Sequence, residues 1–214
     1  MSRTGPMLDR ARLIETLILV LDHVLPACAG IPYRLVGTGA AMLHGVDLPV
    51  GDLDITLVER SHVDAFGAAL SSFQCLEAPA WLPETRQYYG NYRVLAAGKA
   101  AGKAGVEVGL STVEIETDSD TFETYGPGLW EKHYSLLPCG HYQVPTVNLE
   151  LRLITELYRD RPDRYTPLIV YLRQHGCDLD LVRRGLSRGW LPQERIERVL
   201  RQLTRTADQQ DGTD

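Results

Sequence analysis

The run Tyr33-Arg-Leu-Val-Gly-Thr-Gly-Ala-Ala-Met-Leu-His-Gly45, followed by Gly51-Asp-Leu-Asp-Ile-Thr-Leu57, constrains the fold more than any other stretch of this chain. Tyr33 to Val36 predicts a short apolar strand. Gly37-Thr38-Gly39 predicts a small-residue turn, Ala40 to His44 a short helix with Gly45 as its stop, and Leu53 to Val58 a second strand. Successive strand side chains point to opposite faces, so Asp52 and Asp54 share one face while Leu53 and Ile55 take the other. Two carboxylates side by side repel each other and lose solvation, and a divalent cation offsets both costs. A glycine turn next to them lets backbone N–H groups approach a phosphate, and the N-terminus of the following helix adds its dipole.

The rest of the chain sorts into two compositional regions. Leu8 to Leu25 has helical spacing of apolar residues and ends before Pro26. Ser61 suits the N-cap of a helix reaching Leu70 or Phe73. Trp81 to Tyr89 reads as a loop or edge segment. Tyr92 to Ala97 and Val106 to Leu110 read as strands joined by the flexible turn Gly98 to Gly105, whose two lysines lack the GxxxxGK[ST] spacing of a P-loop. Val113 to Thr117 predicts another short strand, and Tyr134 to Leu137 with Tyr142 to Val144 a hairpin around Pro138-Cys-Gly140. From Val147 onward the pattern is helical: Leu149 to Tyr158, Tyr165 to His175, Leu179 to Leu186 and Gln193 to Leu203. The expected organisation is an α+β domain over 1–146 built on a mixed sheet flanked by helices, a helical subdomain over 147–206, and a disordered tail over 207–214.

Charge follows the same division. Residues 1–149 carry 10 Lys/Arg against 17 Asp/Glu, whereas residues 150–206 carry 12 Arg against 8 acids. The overall charge of −6 argues against a general nucleic-acid binder. No apolar run reaches membrane-spanning length, and the first residues lack the layout of a secretory signal, so a cytoplasmic protein without a membrane partner is expected. Cys28, Cys75, Cys139 and Cys177 form no CxxC pair and read as reduced structural thiols.

A pair of aspartates needs a third ligand to hold two metal ions well. Glu107, in Val106-Glu-Val108, is the first choice, because its strand follows a turn back from the preceding strand and should lie in the central sheet. Glu114 and Glu116 have the same local appearance. Three carboxylates on neighbouring strands form an acidic cluster suited to two Mg²⁺ ions, one activating an attacking hydroxyl and one holding a triphosphate. Gly37, Thr38 and Gly39 would hold the phosphates. Arg152 and Arg161 could contact the triphosphate, or could instead form salt bridges with Glu156 or Asp163. Tyr88, Tyr89 and Tyr92 could stack on a base or fill the core. His44 reads as a helix-end residue packed behind the motif.

Val36-Gly37-Thr38, Asp52-Leu53-Asp54 and Val106-Glu107-Val108 together resemble the nucleotidyltransferase superfamily with the DNA polymerase beta fold. Within it, Leu35-Val-Gly-Thr-Gly-Ala-Ala-Met-Leu-His44 looks most like the form found in abortive-infection-type toxins and relatives of the antibiotic nucleotidyltransferases. The resemblance covers residues 33–110 and extends more weakly over 145–175. It implies Mg²⁺-dependent transfer of a nucleoside monophosphate from a nucleoside triphosphate such as ATP to an acceptor hydroxyl. A tRNA end or a cationic small molecule such as an aminoglycoside is the implied acceptor. The alternative is a non-catalytic member of the fold that serves, with a protein partner, as an antitoxin or regulator. The chain departs from the pattern at Thr38, where Gly or Ser is usual, at Leu48 to Gly51, where relatives carry Arg or Ser/Thr, and at Pro162, where a basic residue is usual.

Overall fold

A computed structural model of the chain describes residues 7–95, 105–113 and 132–204. Helix α1 (Arg10–Ala27) opens on Asp9, whose side chain accepts from the Arg12 backbone N–H at 2.8 Å. Leu13, Leu17, Val20, Leu21 and Val24 recur at helical spacing and are all fully buried, so this stripe is one wall of the core. Strand β1 (Tyr33–Val36) leads directly into helix α2 (Gly37–His44), and Gly45 ends α2 in the left-handed conformation with φ 105. The expected turn and helix are therefore one element. The helix begins on Gly37 itself, three residues before the predicted start, so the glycine turn is its first turn.

Strand β2 (Asp52–Leu57) carries Leu53 and Ile55 fully buried, while Asp52 and Asp54 remain half-buried. Helix α3 (Arg60–Ala69) follows. Ser61 is not its cap: it lies inside the helix and its Oγ donates to Glu59 Oε2 at 3.3 Å. Strands β3 (Gln74–Leu82), β4 (Gln87–Val94) and β5 (Val106–Val113) come next, so most of Trp81 to Tyr89 is strand rather than loop. Strands β6 (Tyr134–Cys139) and β7 (Tyr142–Val147) form the predicted hairpin. The helices α4 (Leu149–Tyr158), α5 (Pro162–His175), α6 (Leu179–Leu186) and α7 (Gln193–Thr204) follow. Glu114, Glu116, the turn lysines and the tail from 207 fall outside the described residues. No described helix is long and apolar enough to cross a membrane.

The strands form one seven-stranded mixed sheet in the order β3-β4-β5-β2-β1-β7-β6. The α+β architecture expected from the sequence is the one observed. At the centre, β2 runs antiparallel to β1 and parallel to β5, and β1 runs parallel to β7. The register sorts the two faces. One face carries Leu35, Leu53, Ile55, Val108, Leu110 and Tyr92, all buried. Helices α1 and α3 cover it, with Gly39 against Leu53 and Leu13, and Gly67 against Tyr92. The other face carries the carboxylates.

The C-terminal helices are tied to the end of α2. The His44 ring Nε2 lies 2.9 Å from the Val147 carbonyl, and the Tyr171 hydroxyl donates to the His44 carbonyl at 2.6 Å. A carbonyl only accepts, so Nε2 carries the ring proton. Burial holds the His44 pKa below its ordinary value, opposed by that hydrogen bond. His44 is thus a helix-end anchor behind the motif.

Candidate active site

Strand register brings the acidic residues into two rows across one face. In the first, Arg93 of β4 lies opposite Glu107 of β5, which lies opposite Asp52 of β2. In the second, Asn91, Gly109, Asp54 and Val36 follow one another across β4, β5, β2 and β1. Paired positions share a face, so Asp52, Asp54 and Glu107 all project the same way. The strand carrying Glu107 is the immediate neighbour of the strand carrying both aspartates.

Asp54 sits in a cradle made by missing side chains. A Cβ on Gly37 would collide with Asp54 Oδ2, and one on Gly109 would stand 3.2 Å from Asp54 Oδ1 and 3.2 Å from the Tyr89 ring. Gly37 also has φ +72, a conformation L side chains rarely adopt. The first residue of α2 must therefore be glycine for two independent reasons, and its substitution would displace the carboxylate. Thr38, at 6% exposed, and Gly39 are buried in the same first turn, where backbone N–H groups have no intrahelical partner.

Glu107 takes a different posture from the one the sequence suggests. Arg93 Nη2 donates to its Oε1 at 3.2 Å, and Asn91 Nδ2 lies 3.4 Å from its Oε2. Its carboxylate is thereby engaged by two side chains of β4. Among the described residues, no three His, Cys, Asp or Glu side chains are gathered closely enough to hold a metal ion. The available donors are all oxygens, which suits Mg²⁺. Asp52 and Asp54 are the residues that would hold such a cation, while Glu107 pairs with Arg93.

The arginines divide unexpectedly. Arg152 is 1% exposed and forms an ion pair with the fully buried Glu156, which also accepts from Arg164 Nη1 at 3.3 Å. Arg161 clamps Asp163 through Nε at 3.0 Å and Nη2 at 2.8 Å. Both form the salt bridges that the sequence offered as one alternative. Arg152 is enclosed in the protein rather than offered to a triphosphate. Arg159, at the C-terminal end of α4, and Arg164 of α5 were passed over in the sequence reading. Burial lowers the pKa of each, opposed by the Asp54 charge at Arg159 and by the Asp163 and, less, the Asp52 charge at Arg164. The sequence signal for them was their dense basic cluster around Pro162, but only tertiary packing says which member turns inward.

The tyrosines also separate. Tyr92 is a core residue at 4% exposed, and the Tyr88 hydroxyl donates to Asp64 of α3 at 2.9 Å. Tyr89 alone of the three lies on the carboxylate face, beside Gly109. Asn91 and Arg93 were likewise missed. The pairing of their strand with the one carrying Glu107 was legible, but its register was not.

No protein-family model matches the chain, and no curated protein matches it. Solved structures do. An inferred nucleotidyltransferase from Thermotoga maritima superposes with a TM-score of 0.54 at 14% identity, over 82% of this chain and 100% of the other. An antigenic nucleotidyltransferase-like protein from Paracoccidioides brasiliensis gives a TM-score of 0.54 at 13% identity, over 92% of this chain and 95% of the other. At such identity the likeness speaks for architecture alone. The chain has the fold of the nucleotidyltransferase superfamily.

Proposed function

We propose that the protein transfers a nucleoside monophosphate from a nucleoside triphosphate to an acceptor hydroxyl. The observation that carries this reading is the seating of Asp54 against the first residue of α2. It puts a glycine-rich helix N-terminus and two acid side chains within one small space. Mg²⁺ held by Asp52 and Asp54, with Glu107 as a third ligand, would supply charge neutralisation for the triphosphate and lower the pKa of the attacking hydroxyl. The remaining work falls to the chain. Backbone N–H groups of Gly37, Thr38 and Gly39 would hold phosphate oxygens, aided by the α2 dipole. Arg159 and Arg164 would balance the negative charge building on the leaving group. A bond forms between the acceptor oxygen and the α-phosphorus, and the bond from that phosphorus to the bridging oxygen breaks. Pyrophosphate leaves, and the acceptor proton passes to Glu107 or to water.

A second reading has one observation in its favour. The Arg93 pair with Glu107 leaves only two acids together, and a protein that binds nucleotide without transferring it, as an antitoxin or regulator, needs no third. The two readings separate in a transfer assay. Each α-labelled nucleoside triphosphate is offered with bulk RNA, a protein lysate and an antibiotic panel. Label on one pool, lost in an Asp52→Asn variant, supports transfer. Triphosphate binding without label on any pool supports the regulator.

A further inference from the structure

Among the described residues, β3 and β6 are the strands with a neighbour on one side only. An edge strand presents a row of unpaired backbone groups, and charges, proline or bulges keep other chains from pairing with it. Strand β3 has all three of these guards: Glu77, Pro79, and register shifts between Cys75 and Glu77 and between Glu77 and Ala80. Strand β6, Tyr134-Ser-Leu-Leu-Pro-Cys139, carries no charged residue, and it pairs with β7 without a register shift from end to end.

The hairpin decides which groups of β6 face outward. Gly140 and His141 form the loop between the paired Cys139 and Tyr142, so the odd-numbered residues of β6 bond to β7. The Asn148 N–H, which donates to the His133 carbonyl, continues that alternation. Tyr134, Leu136 and Pro138 therefore turn their backbone groups to the open side. Pro138 gives up no bond to β7 there, which is where an edge tolerates proline. The side chains of the same three residues share the carboxylate face, where the Arg34 guanidinium lies over the Tyr134 ring at 3.7 Å. Leu136 is 57% exposed and Tyr134 37%. On the other face Cys139 is buried, with its thiol donating to the Ile14 carbonyl of α1.

This edge is complementary to itself. Running antiparallel, the register that uses all three outward residues sets Leu136 opposite the partner's Leu136 and Tyr134 opposite the partner's Pro138. Leu136 then exchanges two hydrogen bonds with its counterpart, and the Tyr134 N–H donates to the carbonyl of the partner's Pro138. The exposed leucines meet each other, and each tyrosine ring meets a proline. Charge favours the same direction. Lys132 and Arg34 lie at the start of β6, whereas the hairpin at its end is tied to Asp22, which accepts from the Tyr142 hydroxyl at 2.6 Å. Antiparallel pairing brings each basic end beside the partner's hairpin, and parallel pairing would bring the two basic ends together.

We infer that β6 is a self-association edge: a second copy of the chain adds its own β6 across a two-fold axis through Leu136, joining the two sheets into one. Facing residues of an antiparallel pair lie on one side of the sheet, so the two Asp52/Asp54 pairs open to the same face of the dimer.

Sedimentation velocity of the full chain at roughly 50 μM reads the assembly, whose population follows protomer concentration. The parent should sediment at twice the 23.9 kDa of one chain. Leu136→Lys puts like charges face to face and should raise the dissociation constant at least about tenfold, with an unchanged far-ultraviolet circular dichroism spectrum. In a Cys75→Ser/Cys177→Ser background, Leu136→Cys should be joined into dimers by a short bismaleimide. Val58→Cys, exposed beyond the end of β2 and three strands away from β6, should not be joined. If Leu136→Lys loses its native spectrum, the cross-linking pair decides alone. A parent that sediments as single chains, a folded Leu136→Lys that still dimerises, or a dimer whose introduced thiols at position 136 are not joined overturns the inference.

Discussion

Replacing Glu156 with leucine would strand a charge inside the protein. Glu156 is fully buried, and its partner Arg152 is 1% exposed in the same helix. Arg164, the other guanidinium on Glu156, has 27% of its side chain exposed and can turn toward water. Arg152 cannot. Removing one member of a buried ion pair typically costs about 3–5 kcal/mol, because the remaining ion keeps its desolvation penalty and loses its compensation. Set against a total stability of roughly 5–15 kcal/mol, that is a large share. For a chain of this size each kcal/mol moves the melting temperature by about 2–4 °C, so Glu156→Leu should lower it by roughly 6–20 °C. Thermal unfolding followed by circular dichroism measures this. Replacing both ions, as Arg152→Met with Glu156→Leu, should recover most of the loss, since a packed apolar pair carries no desolvation penalty. A single variant that melts within about 2 °C of the parent, or a double variant no better than the single, would refute the reasoning.

Gly37→Ala combines a left-handed backbone with a collision against Asp54. It should abolish triphosphate binding measured by calorimetry while costing only about 1–2 kcal/mol of stability. Arg159→Gln should weaken triphosphate binding about tenfold, whereas Arg161→Gln, which only releases Asp163 at the surface, should leave it within about twofold. The Tyr33 hydroxyl is pushed up to about 12 from 10.0, chiefly by burial. The folded state then retains a proton that the unfolded chain releases near pH 10. The contribution, on the order of 3 kcal/mol, is complete below about pH 10 and lost as pH rises toward 12. Tyr33→Phe should flatten that alkaline loss in pH-dependent melts.

What the sequence could convey about the site depended on range. The shared face of Asp52 and Asp54 follows from strand period alone, and the sheet bears it out. The glycine run was legible as a turn before a helix, but its merger with the helix was not. That depends on Gly37 taking a positive φ, which the bare pattern Val-Gly-Thr-Gly does not dictate. Ser61 looked like a cap because hydroxyls favour caps, yet the chain enters α3 two residues earlier, with Glu59 at the N-cap. The greater gaps are tertiary. Arg93 meets Glu107 only because β4 and β5 pair in one register, which a long turn leaves open. The Asp54 charge acts on Arg159 and the Asp52 charge on Arg164 across about a hundred residues of sequence, and helix spacing cannot single these two out.

The central claim is that Asp52 and Asp54, seated against the first turn of α2, bind a metal-complexed nucleoside triphosphate. Isothermal titration of the full chain with Mg²⁺ and a non-hydrolysable triphosphate analogue, beside an Asp52→Ala/Asp54→Ala variant of matched melting temperature, measures it directly. The account predicts saturable, Mg²⁺-dependent binding by the parent and at least a hundredfold loss in the variant, about 3 kcal/mol. Equal heats for the two proteins, or parent binding that is unchanged when Mg²⁺ is chelated, would contradict it.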